Sequence, residues 1–281
     1  MANVVQMKNT SFKTLGPQAA HFVTELHEQG KPLFSHKDVI DVTGLQSQSA
    51  RSFVASLVNR GIATRVQPGL FILVPFELGR EREYLGNPFV IARELAQNHD
   101  YFISHASAMD IHGMLTQPRF VVYASSPRAM RPRTLHGIEF RFVKCRPSHF
   151  FGTTTHWATR TEQVHVSDLE RTVIDGLKQP EHCGGVTEVA GGLLIRKVDI
   201  NPGKLVEYAL RMDVGVVIRR LGFLLETYEL ASTQQIDQLR ARLTPSYALL
   251  DPLLPSEGKT SSRWRLRLNV APEELLRLGS T

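Results

Sequence analysis

Residues 35–74 read SHKDVIDVTGLQSQSARSFVASLVNRGIATRVQPGLFILV, and this stretch decides the fold of the N-terminal part of the chain. Ser35 can cap a helix through the amide of Asp38, which itself stands where a capping box has its second member. Gly44 supplies the left-handed residue that ends a helix. The stretch therefore predicts a short helix from Ser35 that stops at Gly44, followed by a tight turn.

A further helix is predicted after this turn, because apolar residues recur there at spacings of three, four, seven and eight. Its apolar face consists of Ala50, Phe53, Val54, Leu57 and Val58. The opposite face contains no acidic residue and carries Ser47, Gln48, Ser49, Arg51, Ser52 and Ser56. Arginine and glutamine can form paired hydrogen bonds with guanine and adenine edges, and serine allows a helix to approach the bases closely. This face is typical of a helix that lies in a DNA groove.

A hairpin is predicted next, because two β-rich runs at 62–66 and 70–74 flank a Pro-Gly turn. Upstream, apolar residues recur at helical spacing over residues 17–29. Three helices followed by a basic hairpin predict a winged helix-turn-helix DNA-binding domain over residues 1–80.

The charges of this region favour DNA over other partners. Between Val42 and Phe76 there is no Asp or Glu, whereas arginines are present throughout. A winged domain can also serve protein contacts, or act as a spacer within an enzyme, and these are the alternatives. We predict that bases are contacted by Ser47, Gln48, Arg51 and Ser52, and phosphates by Lys37, Arg60 and Arg65.

The composition of the whole chain limits the classes of protein to which it can belong. The 281 residues are 42% hydrophobic, which allows a buried core and about two domains. The formal net charge of +6 favours an anionic partner. Cys145 and Cys183 are far apart in sequence, which indicates buried thiols. The N-terminus lacks the features of a signal peptide, and no stretch approaches the ~20 apolar residues of a membrane span, so we expect a cytoplasmic protein without a membrane partner.

Residues 84–281 predict an α+β domain with a mixed sheet and a helical C-terminal half. Strand-like runs dominate from Arg119 to Thr159, and helical patterns occupy most of the chain after them. Asn87 before a proline is expected to open one helix, and Ser104 is expected to cap another. Alternation over residues 263–270 predicts a final strand.

A basic segment lies between residues 119 and 146, where Glu139 is the single acid. Its cations are Arg119, Arg128, Arg131, Arg133, Arg141, Lys144 and Arg146. Prolines hold open the loop that carries Arg128, Arg131 and Arg133. This loop is either a solvated connection or a second phosphate-contacting surface, and the sequence leaves both interpretations open.

The segment Ser-Asp-Leu-Glu at 167–170 has the form of a capping box at the start of a helix. The charged residues there are Asp168, Glu170, Arg171 and Asp175. Acids in a first turn favour the positive end of the helix, which is a structural role. The alternative is that the three acids are catalytic carboxylates.

The histidines raise the question of a metal site. His105 and His112 are seven residues apart, which is about 10.5 Å along a helix axis. One metal ion cannot bridge that distance without further ligands from elsewhere. We therefore expect no metal and no other cofactor.

Three segments of the chain resemble the AbiEi-type antitoxins of bacterial type IV toxin–antitoxin systems, and the resemblance runs over most of the chain. They are RVQPGLF at 65–71, YFISHASAMDIHG at 101–113 and VSDLERTVIDGL at 166–177, the last followed by Pro180-Glu181 and Gly184-Gly185. The resemblance assigns to the antitoxin motifs Ser104, His105, Asp168, Glu170, Arg171 and Asp175.

The resemblance implies two activities. The N-terminal domain binds inverted repeats in the double-stranded promoter DNA of its own operon and represses transcription, and the second domain counteracts a nucleotidyltransferase-like toxin without a stable complex. We therefore predict an autorepressor and antitoxin that is not an enzyme. The alternatives are an enzyme acting on nucleic acid or nucleotides, with the winged domain for targeting, and an inhibitor that contacts the toxin directly.

Overall fold

The computed structural model describes residues 13–97, 99–115, 120–271 and 274–275. The chain divides into two compact units. Unit 1 comprises the chain up to Ile91 together with Leu135–Gly137, and unit 2 comprises Ala92–Thr134 and the chain from Ile138 onward. The division predicted from the sequence lies earlier, between residues 80 and 84. Helices and strands are combined in both units, so the predicted α+β class is confirmed.

Unit 1 alternates helices with three short strands. Its elements are, in chain order, α1 (Pro17–Glu28), β1 (Leu33–Ser35), α2 (His36–Thr43), α3 (Ser47–Asn59), β2 (Ala63–Gln67), β3 (Leu70–Leu73) and the start of α4 (Pro88–Ala96). The strands form an antiparallel sheet in the order β1-β3-β2. Sequence reasoning missed β1, because a three-residue strand is too short to show a period and exists only through its pairing with β3.

The ends of the unit 1 helices follow the local signals in the sequence. The backbone amide of Ser35 donates to Asp38 Oδ2 at 2.7 Å, and the amide of Asp38 donates to Ser35 Oγ at 3.4 Å. Gly44 has a φ of 68°, and Asn87 Oδ1 accepts a hydrogen bond from the amide of Phe89 at 2.9 Å. The predicted capping box, left-handed stop and Asn cap are therefore confirmed.

Aromatic rings form the centre of the unit 1 core. The Phe22 ring lies 5.1 Å from that of Phe34 and 5.7 Å from that of Phe53, edge to face in both cases. Phe34 and Phe71 stack at 5.7 Å between paired strands. Because Phe53 and its apolar neighbours on α3 pack into this core, the opposite side of α3 faces solvent.

Unit 2 combines a six-stranded mixed sheet with a helical C-terminal half, as predicted. Its sheet has the order β6-β7-β5-β4-β9-β8, and a second sheet has the order β10-β12-β11. In the described parts of the chain, no helix has the length and apolarity needed to cross a membrane. The elements after α4 are β4 (Phe102–Ile103), α5 (His105–Ile111), β5 (Val121–Ser126), β6 (Arg133–Leu135), β7 (Ile138–Lys144), β8 (Thr153–Trp157), β9 (Gln163–Ser167), α6 (Leu169–Lys178), α7 (Val186–Ile195), α8 (Pro202–Met212), α9 (Gly215–Thr227), α10 (Thr233–Arg240), β10 (Ala248–Leu249), β11 (Lys259–Ser261) and β12 (Leu266–Leu268).

Helix α6 is surrounded by the other elements of unit 2. It packs against α5, α7, α8 and α9, and the eight residues from Glu170 to Leu177 are all buried. At Gly176 an added Cβ would lie 2.8 Å from Val189 Cγ2, so the absence of a side chain there allows α7 to approach closely. A helix buried on every side must therefore accommodate its charged residues internally.

The capping box predicted from Ser167 and Glu170 is wrong. The N-cap of α6 is Asp168, whose Oδ1 accepts a hydrogen bond from the amide of Arg171 at 2.8 Å. Ser167 belongs to β9, and its hydroxyl lies 2.8 Å from Thr172 Oγ1. The helix starts one residue later than predicted because strand pairing holds Ser167 in the sheet.

The predicted final strand at 263–270 is too long, because β12 covers only Leu266–Leu268. Trp264 lies in the preceding turn and is 1% exposed. Its ring packs against Gly222 of α9, where an added Cβ would lie 2.0 Å from Trp264 Cζ3. The alternating pattern at 263–270 thus combines a buried anchor in a turn with a short strand.

Replacing Gly222 by alanine should destabilise the protein by about 1–3 kcal/mol, because the buried indole has no room to shift. The Trp264→Leu variant is itself less stable, because packing is lost. In that variant, Gly222→Ala should leave the free energy of unfolding nearly unchanged. Urea unfolding of the two single variants and the double variant measures this coupling. Additive costs would contradict the predicted clash.

Candidate nucleic-acid interface

The outward side of α3 carries the residues predicted to contact bases. All four of them are exposed: Ser47, Gln48, Arg51 and Ser52. The first turn of α3 contains no acidic residue. The Ser52 hydroxyl donates to the carbonyl of Gln48 at 3.3 Å, so its oxygen still offers acceptor capacity to a ligand. We call this exposed side the α3 surface.

The α3 surface continues further toward the C-terminus than the sequence analysis predicted. Ala55 and Asn59 follow Arg51 at spacings of four and eight, and both are exposed. Together with Arg65 they line an open groove between α3 and the β2–β3 hairpin. Asn59 was missed, although its spacing of eight from Arg51 was the available signal. An asparagine amide can bind an adenine edge through two hydrogen bonds.

The predicted phosphate-contacting residues differ in their surroundings. Lys37 and Arg65 are exposed. Arg60 is half-buried, and its Nη1 donates to the carbonyl of Thr14 at 2.9 Å while its Nε donates to Ser56 Oγ at 3.3 Å. Arg60 therefore holds the segment before α1 against α3, and Lys37 and Arg65 are the cations of this set that face solvent.

The capping acid of α2 is neutralised by a nearby cation. Lys31 Nζ lies 2.5 Å from Asp38 Oδ1. Partial burial would raise the pKa of Asp38, but hydrogen bonds from Lys31 and Ser35 outweigh it, and the pKa is lowered. The carboxylate stays ionised and paired, so it does not oppose an anionic ligand of unit 1 with an isolated negative charge.

Unit 2 exposes part of the predicted basic segment. Arg128, Arg131 and Arg133 are exposed between the end of β5 and the start of β6, where Arg128 contacts the His99 ring. Arg141 is held by Glu139, whose Oε1 lies 2.6 Å from Arg141 Nε. Arg119 lies outside the described residues.

Arg171 is a buried structural residue. Its Nη2 lies 2.9 Å from Asp175 Oδ1, and the side chains of Arg171 and Asp175 are 1% and 4% exposed. Its Nη1 donates to the carbonyls of His149 at 2.7 Å and Phe151 at 2.9 Å. The guanidinium also lies over the Phe151 ring, 4.6 Å from its centroid. Each polar side of Arg171 is thus occupied by the protein itself.

Asp168 and Glu170 share one cation, Lys204 of α8. Lys204 Nζ lies 2.8 Å from Glu170 Oε2 and 3.1 Å from Asp168 Oδ2, and Tyr208 donates to Asp168 at 2.9 Å. Burial opposes ionisation of Glu170, but hydrogen bonds from Lys204 and the amide of Asn201 lower its pKa. These acids connect α6 to α8, whereas Asp175 pairs with Arg171, so the structure divides the predicted carboxylates between two places.

Ser104 is the cap residue of α5, as predicted, but its hydroxyl does not form a capping hydrogen bond. Its Oγ lies 2.9 Å from His105 Nδ1 and accepts a hydrogen bond from Ser125 Oγ at 2.9 Å. The side chains of His105 and of Ser125 in β5 therefore take the place of the helix amide. All three residues are buried.

His105 is strained and neutral. Its φ is 53°, a left-handed value that is uncommon for histidine, and its Nε2 is buried without a hydrogen-bond partner among the described residues. Burial lowers its pKa to about 4. In the described parts of the chain, no three His, Cys, Asp or Glu side chains come together so that they could hold a metal ion.

Acid should destabilise the protein partly through His105. An unfolded histidine takes up a proton near pH 6.5, whereas the folded one does so only near pH 4, so stability falls as the pH drops through this interval. His105→Asn suits the left-handed backbone and does not titrate. Between pH 7 and pH 5 its free energy of unfolding should fall by about 1–2 kcal/mol less than that of the wild type. Urea unfolding at both pH values measures the difference, and equal losses would contradict the prediction.

Comparison with known proteins shows a similarity in fold. No protein-family model matches the chain, and no curated protein sequence matches it. Among solved structures, the chain is similar to the crystal structure of the RV2827C protein from Mycobacterium tuberculosis, with a TM-score of 0.69 and 15% sequence identity. The similarity covers 96% of this chain and 97% of that chain. At this identity the two proteins share a fold, and the likeness carries no activity from one to the other.

Proposed function

We propose that unit 1 is a winged helix-turn-helix domain that binds double-stranded DNA. In this proposal α3 enters the major groove and the β2–β3 hairpin is the wing. The element order α1-β1-α2-α3-β2-β3 and the pairing of β1 with the hairpin support it. The observation that carries the proposal is the α3 surface, which is exposed, without acids in its first turn, and bordered by the exposed Arg65.

The residues of the α3 surface, together with Arg65 and Lys37, suit specific roles in the proposed complex with DNA. Arg51 and Gln48 offer planar groups that match guanine and adenine edges, and Asn59 extends the same side. Arg65 and Lys37 offer point contacts to phosphates, which position the domain without reading the sequence. At about 20 Å, α3 is long enough for its side chains to reach several base pairs.

We further propose that the protein represses its own operon at inverted repeats and acts as the antitoxin of a type IV toxin–antitoxin system. This rests on the resemblance of the hairpin turn, the α5 segment and the α6 segment to AbiEi-type antitoxins. The partner is then a nucleotidyltransferase-like toxin, and unit 2 serves the antitoxin activity. Asp168, Glu170, Arg171 and Asp175 support it by holding α6 in place.

Two substitutions should separate base reading from phosphate binding. Arg51→Ala should weaken binding to the DNA upstream of the protein's own gene by about 1–3 kcal/mol. It should also reduce the preference for this DNA over unrelated DNA. Arg65→Ala should weaken binding to both kinds of DNA. It should also reduce the magnitude of the slope of log K against log salt concentration by about 0.9. Fluorescence anisotropy over a range of salt concentrations measures both quantities.

The exposed Arg160 of unit 2 provides a control that removes the same charge. Arg160→Ala should keep the wild-type affinity and salt slope. Wild-type protein that binds the upstream DNA no better than unrelated DNA at low salt would contradict the repressor proposal.

The antitoxin proposal has a separate test. The proposal predicts a nucleotidyltransferase-like toxin gene next to the gene of this chain. When that toxin arrests growth, expression of this chain from an unrelated promoter should restore growth. The double variant Arg51→Ala/Arg65→Ala should restore growth equally well, because both changes lie outside unit 2. Growth arrest that persists with well-expressed wild-type chain would contradict the proposal, and a stable complex on co-purification would favour inhibition by direct contact.

A further inference from the structure

A pocket rich in arginine lies in unit 2, where the end of α10, the loop after it and the turn before β12 meet. Its volume is about 510 Å³, which is within the usual range for small-ligand sites. It is lined by Arg240, Leu243, Thr244, Pro245, Ser262, Arg263 and Arg265. No lining residue is acidic, and we call this site the arginine pocket.

One wall of the arginine pocket is fixed by a buried anchor. Trp264 is 1% exposed and donates its Nε1 hydrogen to Glu226 Oε2 at 2.7 Å. Arg263 Nε lies 2.7 Å from Glu226 Oε1, so the same carboxylate holds both residues. The neighbouring Arg265 has a φ of 53°, which turns the backbone between the anchor and β12. The turn that presents Ser262, Arg263 and Arg265 is therefore held in one conformation.

The loop after α10, which also lines the pocket, is held by Arg219 of α9. Its Nη2 lies within hydrogen-bonding distance of three oxygens: Thr244 Oγ1 at 2.6 Å, and the carbonyl and hydroxyl oxygens of Ser246, both at 3.0 Å. Arg219 is buried, and among the described residues no acid forms an ion pair with it. Its Nε is buried without a hydrogen-bond partner, and burial alone lowers its pKa. A positive charge without an acidic partner among the described residues thus contacts the loop that lines the pocket.

The charges around the pocket do not cancel. Arg263 is paired with Glu226, and Arg240 lies 3.4 Å from the exposed Asp237. Arg265 makes no ion pair with any described residue, and its Nη1 instead lies 3.3 Å from the Tyr247 hydroxyl. The excess positive charge of Arg219 and Arg265, within a concave and rigid frame, attracts an anion.

We propose that the arginine pocket binds a phosphate-bearing ligand. Guanidinium groups match phosphate oxygens through paired hydrogen bonds, and Arg240 of α10 and Arg265 of the turn before β12 both line the pocket. The hydroxyl of Ser262 adds a neutral donor. The ligand chemistry is that of a phosphate chain on a nucleotide or a phosphate of a nucleic-acid backbone. The proposal concerns residues of unit 2 only and does not depend on DNA binding by unit 1.

Isothermal titration of the full chain with inorganic triphosphate tests the proposal. The wild type should bind the triphosphate, and Arg265→Gln should bind it about 10-fold or more weakly, because one charge-assisted hydrogen-bonding group is lost. Arg240→Gln should weaken binding less than Arg265→Gln does, because Arg240 is already paired with Asp237. Arg160→Gln removes an equal charge from an exposed position outside the pocket and should bind as the wild type does.

A second titration distinguishes the two sources of phosphate. It uses the Arg51→Ala/Arg65→Ala chain, in which the proposed DNA surface of unit 1 is weakened, and a short oligonucleotide of arbitrary sequence. Competition between oligonucleotide and triphosphate assigns the pocket to a nucleic-acid backbone, whereas triphosphate binding without competition assigns it to a free nucleotide-type ligand. No binding of triphosphate by the wild type, or equal binding by folded Arg265→Gln with an unchanged melting temperature, would overturn the proposal.

Discussion

A buried ion pair within α6 is the constraint on which unit 2 depends. Removing two charges from water costs several kcal/mol for each ion, and their attraction offsets this only when the remaining polar atoms also have partners. Arg171 meets this condition because the carbonyls of His149 and Phe151 accept its other hydrogens. Asp175 meets it at one oxygen only: its Oδ1 accepts from Arg171, and its Oδ2 is buried without a hydrogen-bond partner among the described residues. The segment before β8 is thereby tied to α6 through one side chain.

This constraint explains what the motif residues of α6 do. Asp168 caps the helix and shares Lys204 with Glu170, so both acids at the N-terminal end join α6 to α8. The charged residues that resemble an antitoxin motif are thus engaged in holding the unit together. The proposed phosphate site in the arginine pocket, between α10 and the turn before β12, uses none of these residues.

The sequence predicted those features that depend on neighbouring residues. The cap at Ser35, the stop at Gly44 and the two faces of α3 follow from rules that act within one or two turns. Features set by distant residues were missed or misplaced. The strand β1 requires β3, and the start of α6 moved by one residue because β9 pairs with β8 through Ser167.

Sequence reasoning has the same limit for the charged residues of the candidate sites. The sequence gives arginine positions but does not tell which guanidinium is already engaged by the protein. Arg60 was predicted to hold phosphates, yet it bonds the carbonyl of Thr14, which lies 46 residues away in sequence. Arg171 and Arg219 are similarly committed to carbonyls far from them in the chain. Only the folded chain distinguishes these structural arginines from Arg51 and Arg65, which face solvent.

The location of uncompensated positive charge therefore guides the functional argument better than net charge does. A cation paired with an acid or held by carbonyls gains little from an added anion, because its hydrogens are already used. A cation that faces solvent without an acid gains both Coulomb energy and hydrogen bonds from a phosphate. Arg51 and Arg65 meet this condition beside an acid-free helix surface, and Arg265 meets it above the buried charge of Arg219. Both places suit the recognition of phosphate-bearing molecules.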